Sequence, residues 1–114
     1  NIVVDELNHI YWEPLDESDP IRSLATRQIN HHIVGTADRR MNVIAKLARD
    51  YKINGAINPA HWGSRQSTGA RMLFKETLDK VGVPLITLVV DCVDERKYSK
   101  GQILTRLEAF LEML

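Results

Sequence analysis

The sequence PLITLVVD at residues 84–91 is the feature that most constrains how this chain folds. Its nearly continuous apolar run is typical of a strand buried on both faces, as in a parallel sheet covered by helices. Two further apolar runs, IVVDEL at residues 2–7 and GAINPA at residues 55–60, have the length of short strands. We therefore predict three strands, with Pro59 closing the second.

Four helical patterns separate and follow the predicted strands. Asp19 and Pro20 predict an N-cap and a first helical residue for a helix that runs to about His32. Gly35 is predicted to end this first helix, and Thr36 to cap the second. The third helix is predicted to start at residues 65–67 and to end at Gly82. Ser99 and Gln102 predict a capping box at the start of the fourth.

Each helical pattern carries apolar residues at intervals of three and four, which predicts one buried face per helix. These residues are Ile21, Leu24, Ala25 and Ile29; Met41, Ile44, Leu47, Ala48 and Tyr51; Ala70, Leu73, Phe74, Leu78 and Val81; and Ile103, Leu104, Leu107, Phe110, Leu111 and Leu114. Strands that alternate with helices pair in parallel through crossovers. We predict a single α/β domain over residues 1–114, a three-layer Rossmann-like open parallel sheet flanked by helices in the order βααβαβα.

Charge and composition narrow the classes of partner. The formal net charge of +0 gives no electrostatic reason to expect a nucleic acid or an anionic membrane. No apolar run reaches the roughly 20 residues of a membrane helix. The single cysteine, Cys92, cannot form an internal disulfide, so we expect a cytoplasmic location. Because Asn1 opens a strand-like run and Leu114 lies in a helical pattern, we expect a piece of a longer subunit.

Polar side chains follow each of the three predicted strands. Asp5 and Glu6 end the first, residues 61–66 follow the second, and residues 91–96 follow the third. In open parallel sheets, ligands bind at the carboxyl ends of the strands and beside helix N-termini. We therefore expect these groups to meet at one rim, with the loop HWGSRQ at the start of the third helix.

Structural explanations stay open for the residues of this loop. His61 and Trp62 can pack the turn, and Gly63 can meet a backbone requirement. Ser64 can be an N-cap, and Arg65 can be solvated. Each of these explanations needs no ligand.

Other features give weaker signals. Trp12, in an acidic loop over residues 8–20, predicts a lid or a subunit contact, and Cys92 is interpreted as a small buried apolar residue. The chain lacks G-x-G-x-x-G, G-x-x-x-x-G-K-[ST] and zinc-ligand spacing, and WGSRQ is not a G-x-S-x-G elbow. A response-regulator-like domain would need an acidic pocket and a lysine at three strand ends, which this order of elements does not supply cleanly.

Several stretches together resemble the C-terminal domain of the 2-hydroxyacyl-CoA dehydratases, the family of the 2-hydroxyglutaryl-CoA dehydratase D-component, which is similar to the ATP-dependent benzoyl-CoA reductases. The stretches are HWGSRQSTGAR (61–71), VDCVDERKYSKGQ (90–102) and TRLEAFLEML (105–114), supported by TADRR (36–40) and IAKLARDYKINGAI (44–57). The resemblance runs from about Val3 to Leu114. The two loop motifs carry most of it, since a helical ending alone is unspecific.

The resemblance implies a function in an anaerobic lyase. Two related subunits with Rossmann-like domains form a heterodimer, and cysteines hold [4Fe–4S] clusters. An ATP-dependent activator protein supplies one electron, which turns an (R)-2-hydroxyacyl-CoA substrate into a ketyl radical. Loss of water gives the enoyl-CoA, and the electron is recovered. This chain would form one wall of the cluster and substrate site.

One residue departs from the family pattern. The residue after H-W-G is typically a cysteine that binds the cluster, whereas this sequence has Ser64. A serine oxygen is a poorer ligand for cluster iron than a thiolate. Ser64 is therefore an oxygen ligand to a modified cluster, the mark of a subunit that lost its cluster, or an engineered replacement.

The resemblance also assigns roles to the neighbours of Ser64. Trp62 and Gly63 lie against the cofactor. His61, Arg65 and Gln66 donate hydrogen bonds to the cluster, the thioester oxygen or the leaving hydroxyl. The alternatives are a cluster-free structural or acyl-CoA-binding partner domain, and a subunit of the benzoyl-CoA reductase type. The isolated 114 residues are expected to be inactive.

Overall fold

A computed structural model describes residues 1–8 and 14–114, without the side chains of Gln66 and Ser67. Trp12 lies outside the described residues. The elements are α1 (Pro20–Asn30), α2 (Ala37–Asp50), β1 (Ala56–His61), α3 (Arg65–Gly69), α4 (Arg71–Asp79), β2 (Leu85–Val90), a 3₁₀ turn (Glu95–Lys97) and α5 (Lys100–Glu112). The α/β class is confirmed, with helices flanking a parallel sheet.

The two strands pair in parallel, with a register that runs from Ala56 opposite Leu85 to His61 opposite Val90. β1 continues through Pro59, so the prediction that this proline closes the strand is wrong. The N–H of Ala56 donates to the Pro84 carbonyl, which points the N–H of every second residue of β1 toward β2. Position 59 faces the other edge, where proline removes no bond of this pair.

The prediction of a strand at residues 2–7 is also wrong. The helices and strands of the described residues follow the order ααβααβα. The side chain of Asp5 accepts the backbone N–H groups of Leu7 and Asn8 at 3.0 and 2.8 Å. These bonds fold the segment into a turn and compete with pairing to a strand. Ile2 is 87% exposed. In the described part of the chain the sheet therefore has two strands, and the three-layer arrangement is realised only in part.

The core lies between α2, α4 and the sheet. Its centre is Ala48, Leu78 and Val83, packed against the partly buried Ile44, Ile53, Ala56, Val81 and Leu85. The predicted stripe of α2 is confirmed at Met41 and Leu47, whereas Tyr51 is exposed. Phe74 is buried in α4, as predicted, and Leu73 is exposed.

The predicted third helix is two helices, α3 and α4, which meet at Ala70. Gly82 has a φ of 73° in the turn that follows α4. This is the left-handed region in which glycine is favoured, and it explains why the helical pattern stops there.

α1 has the predicted cap but not the predicted buried face. The Asp19 carboxylate accepts the Arg22 N–H at 3.2 Å, and Pro20 begins the helix. No residue of α1 is buried, and Ile21, Leu24 and Ile29 are exposed. Hydrophobic periodicity identified the helix, but the described residues bring nothing onto its apolar face.

α5 contacts the sheet through Arg106, and Phe110 lies close to Gly55, before β1. Phe110 is buried, and Arg106 donates from Nη2 to the Thr87 carbonyl at 2.9 Å. The predicted faces at Leu104 and Leu111 are exposed, and the Ser99 side chain makes no capping bond. None of the helices in the described ranges is both long and apolar enough to span a bilayer.

Candidate functional site

The predicted meeting of strand ends is observed for the two strands that form. His61 ends β1, and Asp91 follows the last residue of β2. The Nδ1 atom of His61 accepts the Gly63 N–H at 3.1 Å, so a neutral ring carries its proton on Nε2. That Nε2 atom lies 3.6 Å from Asp91 Oδ1, an ion-pair distance that is long for a hydrogen bond.

Asp91 is the organising carboxylate of this rim. Its Oδ1 accepts the N–H groups of Val93 at 3.1 Å and Asp94 at 3.2 Å. These two bonds lower the pKa of Asp91 below its ordinary value, because they stabilise the carboxylate. Lys97 Nζ lies 3.6 Å from Asp91 Oδ2 and 4.0 Å from the centroid of the Trp62 ring. Lys97 therefore joins the carboxylate to an exposed aromatic ring.

Ser64 lines a cleft of ≈ 450 Å³ between the start of α2 and the segment that contains α3, whereas His61 and Trp62 are not among its lining residues. The lining residues are His32, Ile33, Gly35, Thr36, Ala37, Arg40, Met41, Ser64 and Ala70. Ser64 is held in place through its backbone, since its N–H donates to the His61 carbonyl and its own carbonyl accepts the Thr68 hydroxyl at 2.7 Å.

Two residues of this cleft hold the carboxylate of Glu6. Arg40 donates from Nε at 2.6 Å and from Nη2 at 2.7 Å, and His32 Nε2 lies 3.2 Å from Glu6 Oε1. His32 is 5% exposed, and its burial lowers the pKa of the imidazole despite the nearby carboxylate. The Arg40 guanidinium lies 4.7 Å from the centroid of Phe74, which is buried.

The structure thus places the predicted site residues in two neighbouring groups. His61, Trp62 and Gly63 lie with Asp91, and Ser64 lies in the cleft. Arg65 is an exposed first residue of α3, and Gln66 belongs to α3 with a side chain outside the described atoms.

Cys92 and Asp94 follow the second strand, beside Asp91. Cys92 is exposed, so its interpretation as a buried apolar residue is wrong. Asp94 caps the 3₁₀ turn by accepting the Arg96 N–H.

The sequence does not predict His32 and Arg40 as site residues. Its patterns place Arg40 on the polar face of α2 and His32 at the end of the first helix. Their partner Glu6 lies far away along the sequence, so no local pattern could have found the contact. The one feature of the sequence that pointed toward this contact was the prediction that Glu6 and Ser64 lie on the same rim of the sheet.

The residues of this chain do not by themselves fit an iron–sulfur cluster. A [4Fe–4S] cluster takes four thiolate ligands, and the chain has one cysteine. Within residues 1–8 and 14–114, no group of three histidine, cysteine, aspartate or glutamate side chains is placed to hold a metal ion. The described side chains around Ser64 therefore do not form a cluster-binding group.

Comparison with known proteins gives two matches. The family model described as "2-hydroxyglutaryl-CoA dehydratase, D-component" matches residues 1–114. The chain is similar to one subunit of the benzoyl-CoA reductase of Thauera aromatica, with 25% identity over 100 residues. That match covers 87% of this chain and 23% of the relative, so the chain spans under a quarter of its length. No solved structure matches the chain significantly.

Proposed function

Because the chain belongs to the family of the 2-hydroxyglutaryl-CoA dehydratase D-component, we propose that it is one α/β domain of an enzyme that dehydrates 2-hydroxyacyl-CoA thioesters. The reaction removes the 2-hydroxyl group and a β-hydrogen of the (R)-substrate as water and leaves the enoyl-CoA. The observation that carries this proposal is the family match over all 114 residues.

The proposed role of this domain is to form one wall of the substrate site. Ser64 lines the cleft, and its hydroxyl is suited to donate a hydrogen bond to the thioester oxygen or to the leaving hydroxyl. His61, held between the Gly63 N–H and Asp91, positions the loop that carries Ser64. Arg65 and Gln66 are proposed as further donors from the start of α3.

We assign the electron transfer and the cluster ligands to polypeptide outside these 114 residues. The ketyl-radical route needs an electron donor, and the lone cysteine of this chain cannot hold a cluster. The proposal therefore includes a related second subunit and an ATP-dependent activator protein. Trp62 and Gly63 are proposed to face the cofactor of the assembled enzyme, which functions in the cytoplasm.

A second role for Ser64 is to bind a cluster that is held mainly by other polypeptide. In this role the thiolate ligands come from residues outside this chain, and the Ser64 oxygen completes the ligand set. The single cysteine of the chain favours the first role, in which Ser64 binds substrate only.

Two other functions have one supporting observation each. The single cysteine supports a cluster-free structural or acyl-CoA-binding partner domain. The 25% identity to a benzoyl-CoA reductase subunit supports reduction of an aromatic acyl-CoA in place of dehydration. Assays with (R)-2-hydroxyacyl-CoA and with benzoyl-CoA separate these functions directly.

The testing experiment uses the complete enzyme with its partner subunit and activator. Ser64→Ala should lower kcat/KM for the 2-hydroxyacyl-CoA at least about tenfold, because it removes a hydrogen-bond donor at the reacting group. The matched control is Lys80→Ala, an exposed position in the turn after α4. Unchanged turnover in Ser64→Ala would remove Ser64 from the substrate site.

A further inference from the structure

Glu6, His32 and Arg40 form a cluster in which two side chains hold one carboxylate. Arg40 grips the Glu6 carboxylate with two parallel bonds, and His32 adds a third contact. This is the arrangement by which proteins recognise a carboxylate in a bidentate fork. His32 and Arg40 both line the open cleft that contains Ser64.

The two holding side chains are fixed independently of Glu6. The Arg40 guanidinium rests over the buried Phe74 ring, and the His32 ring stacks on His31 with centroids 5.0 Å apart. Arg40 belongs to α2, whereas His32 lies in the turn that follows α1. The fork therefore keeps its shape when the carboxylate it holds is exchanged for another.

The segment that supplies Glu6 is weakly held by other contacts. Residues 1–8 form no helix or strand, and Ile2, Val3 and Leu7 are 87%, 56% and 66% exposed. Little apolar surface is lost when such a segment moves away. The Glu6 carboxylate connects this segment to α2 through Arg40.

We propose that Arg40 and His32 form a binding site for the carboxylate of a small organic acid, and that Glu6 fills this site as a tethered internal ligand. An external carboxylate binds by displacing Glu6, and the residues next to Ser64 then hold it in the cleft. The site follows from the geometry of Arg40 and His32. It does not depend on the dehydration proposed above.

The test measures binding of succinate to the complete subunit that contains this chain by calorimetry at low ionic strength. Glu6 is part of the same chain as the fork, so it competes with succinate at a fixed effective concentration in the native protein. Glu6→Gln removes the competing charge and should bind succinate about tenfold or more tightly than the native chain. Glu17→Gln, an exposed glutamate outside the cluster, should bind as the native chain does.

Further measurements locate the site and its chemistry. Adding Arg40→Met to Glu6→Gln should abolish the gained binding. Because that variant can lose stability, Glu6→Gln with Arg40→Lys is measured beside it. The lysine keeps the charge but not the fork, and should retain only part of the gain. Neutral succinamide should not bind to any variant.

Three results would overturn the proposal. One is equal succinate affinity in the native chain and in Glu6→Gln. Another is gained binding that survives both Arg40 substitutions, which would locate the acid elsewhere. The third is tighter binding of inorganic phosphate than of succinate by Glu6→Gln, which would show that the fork does not select carboxylates.

Discussion

The imidazole of His61 faces the carboxylate of Asp91 with Nε2 and Oδ1 3.6 Å apart, across the ends of two parallel strands. The strand register pairs His61 with Val90, and this brings His61 close to Asp91, the residue after Val90. The sheet thus places one strand-end histidine beside the carboxylate that begins the next loop. The loop with Ser64 starts from this pair.

Protonation of Asp91 should weaken the fold in acid. Hydrogen bonds from the Val93 and Asp94 N–H groups lower its folded-state pKa below the ordinary 3.8. Because the folded pKa is depressed, the stabilisation is present above 3.8 and is lost as the pH falls through the folded value.

Asp91→Asn should therefore flatten the loss of Tm on going from about pH 5 to about pH 2, a range that brackets the ordinary carboxyl pKa. Thermal unfolding followed by circular dichroism measures this. Glu108→Gln, an exposed helix residue, is the control and should follow the native curve. An Asp91→Asn curve with the native acid slope would contradict the assignment.

Loss of Arg40 should destabilise the chain more than loss of an exposed arginine on the same helix. The Arg40 side chain is 21% exposed and its removal leaves Glu6 without its bidentate partner. We expect Arg40→Ala to lower the free energy of unfolding by about 1–3 kcal/mol. Arg49→Ala should change it by no more than about 0.5 kcal/mol. Equal effects in urea titrations would argue against the Glu6 contact.

Substitution by alanine should change the stability of the fold in opposite directions at two glycines that both have open space around them. A Cβ at Gly69 or at Gly82 meets no atom within 4 Å, but Gly82 alone of the two has a φ of +73°. Gly82→Ala should cost about 1–2 kcal/mol because an L-residue is strained there. Gly69→Ala, inside α3, should stabilise by up to about 1 kcal/mol. A stabilising Gly82→Ala would show that the turn differs from this geometry.

Truncation of a buried leucine should lower the free energy of unfolding more than truncation of an exposed leucine. Leu78 is 3% exposed and belongs to the centre of the core, whereas Leu111 is 64% exposed. Leu78→Ala should cost about 2–5 kcal/mol through lost burial and a cavity. Leu111→Ala should cost less than about 1 kcal/mol. Equal losses of stability in the two variants would show that Leu111 is buried in the folded protein, in contradiction to this structure.

Local patterns predicted the elements whose stabilising contacts are close in sequence. The stripe of α2, the strand at residues 85–90, the cap at Asp19 and the stop at Gly82 all follow from nearby residues. The family resemblance is likewise confirmed by the match over residues 1–114.

Predictions that depended on distant partners were less successful. Residues 2–7 have a strand-like composition, but Asp5 closes a turn and Glu6 is drawn to Arg40. The apolar face of α1 follows from periodicity, which identifies a helix face without showing what covers it. The cleft forms where residues 32–41 meet Ser64 and Ala70, and no local pattern encodes that meeting.

The central claim is that Ser64 lines a substrate cleft and does not hold iron. The most direct measurement is iron and acid-labile sulfide in the complete enzyme, purified anaerobically with its partner, as native protein and as Ser64→Ala and Ser64→Cys. We predict that native and Ser64→Ala preparations contain equal iron and sulfide, while turnover falls in Ser64→Ala. Loss of iron and sulfide from Ser64→Ala, with recovery or gain in Ser64→Cys, would make residue 64 a cluster ligand and contradict the account.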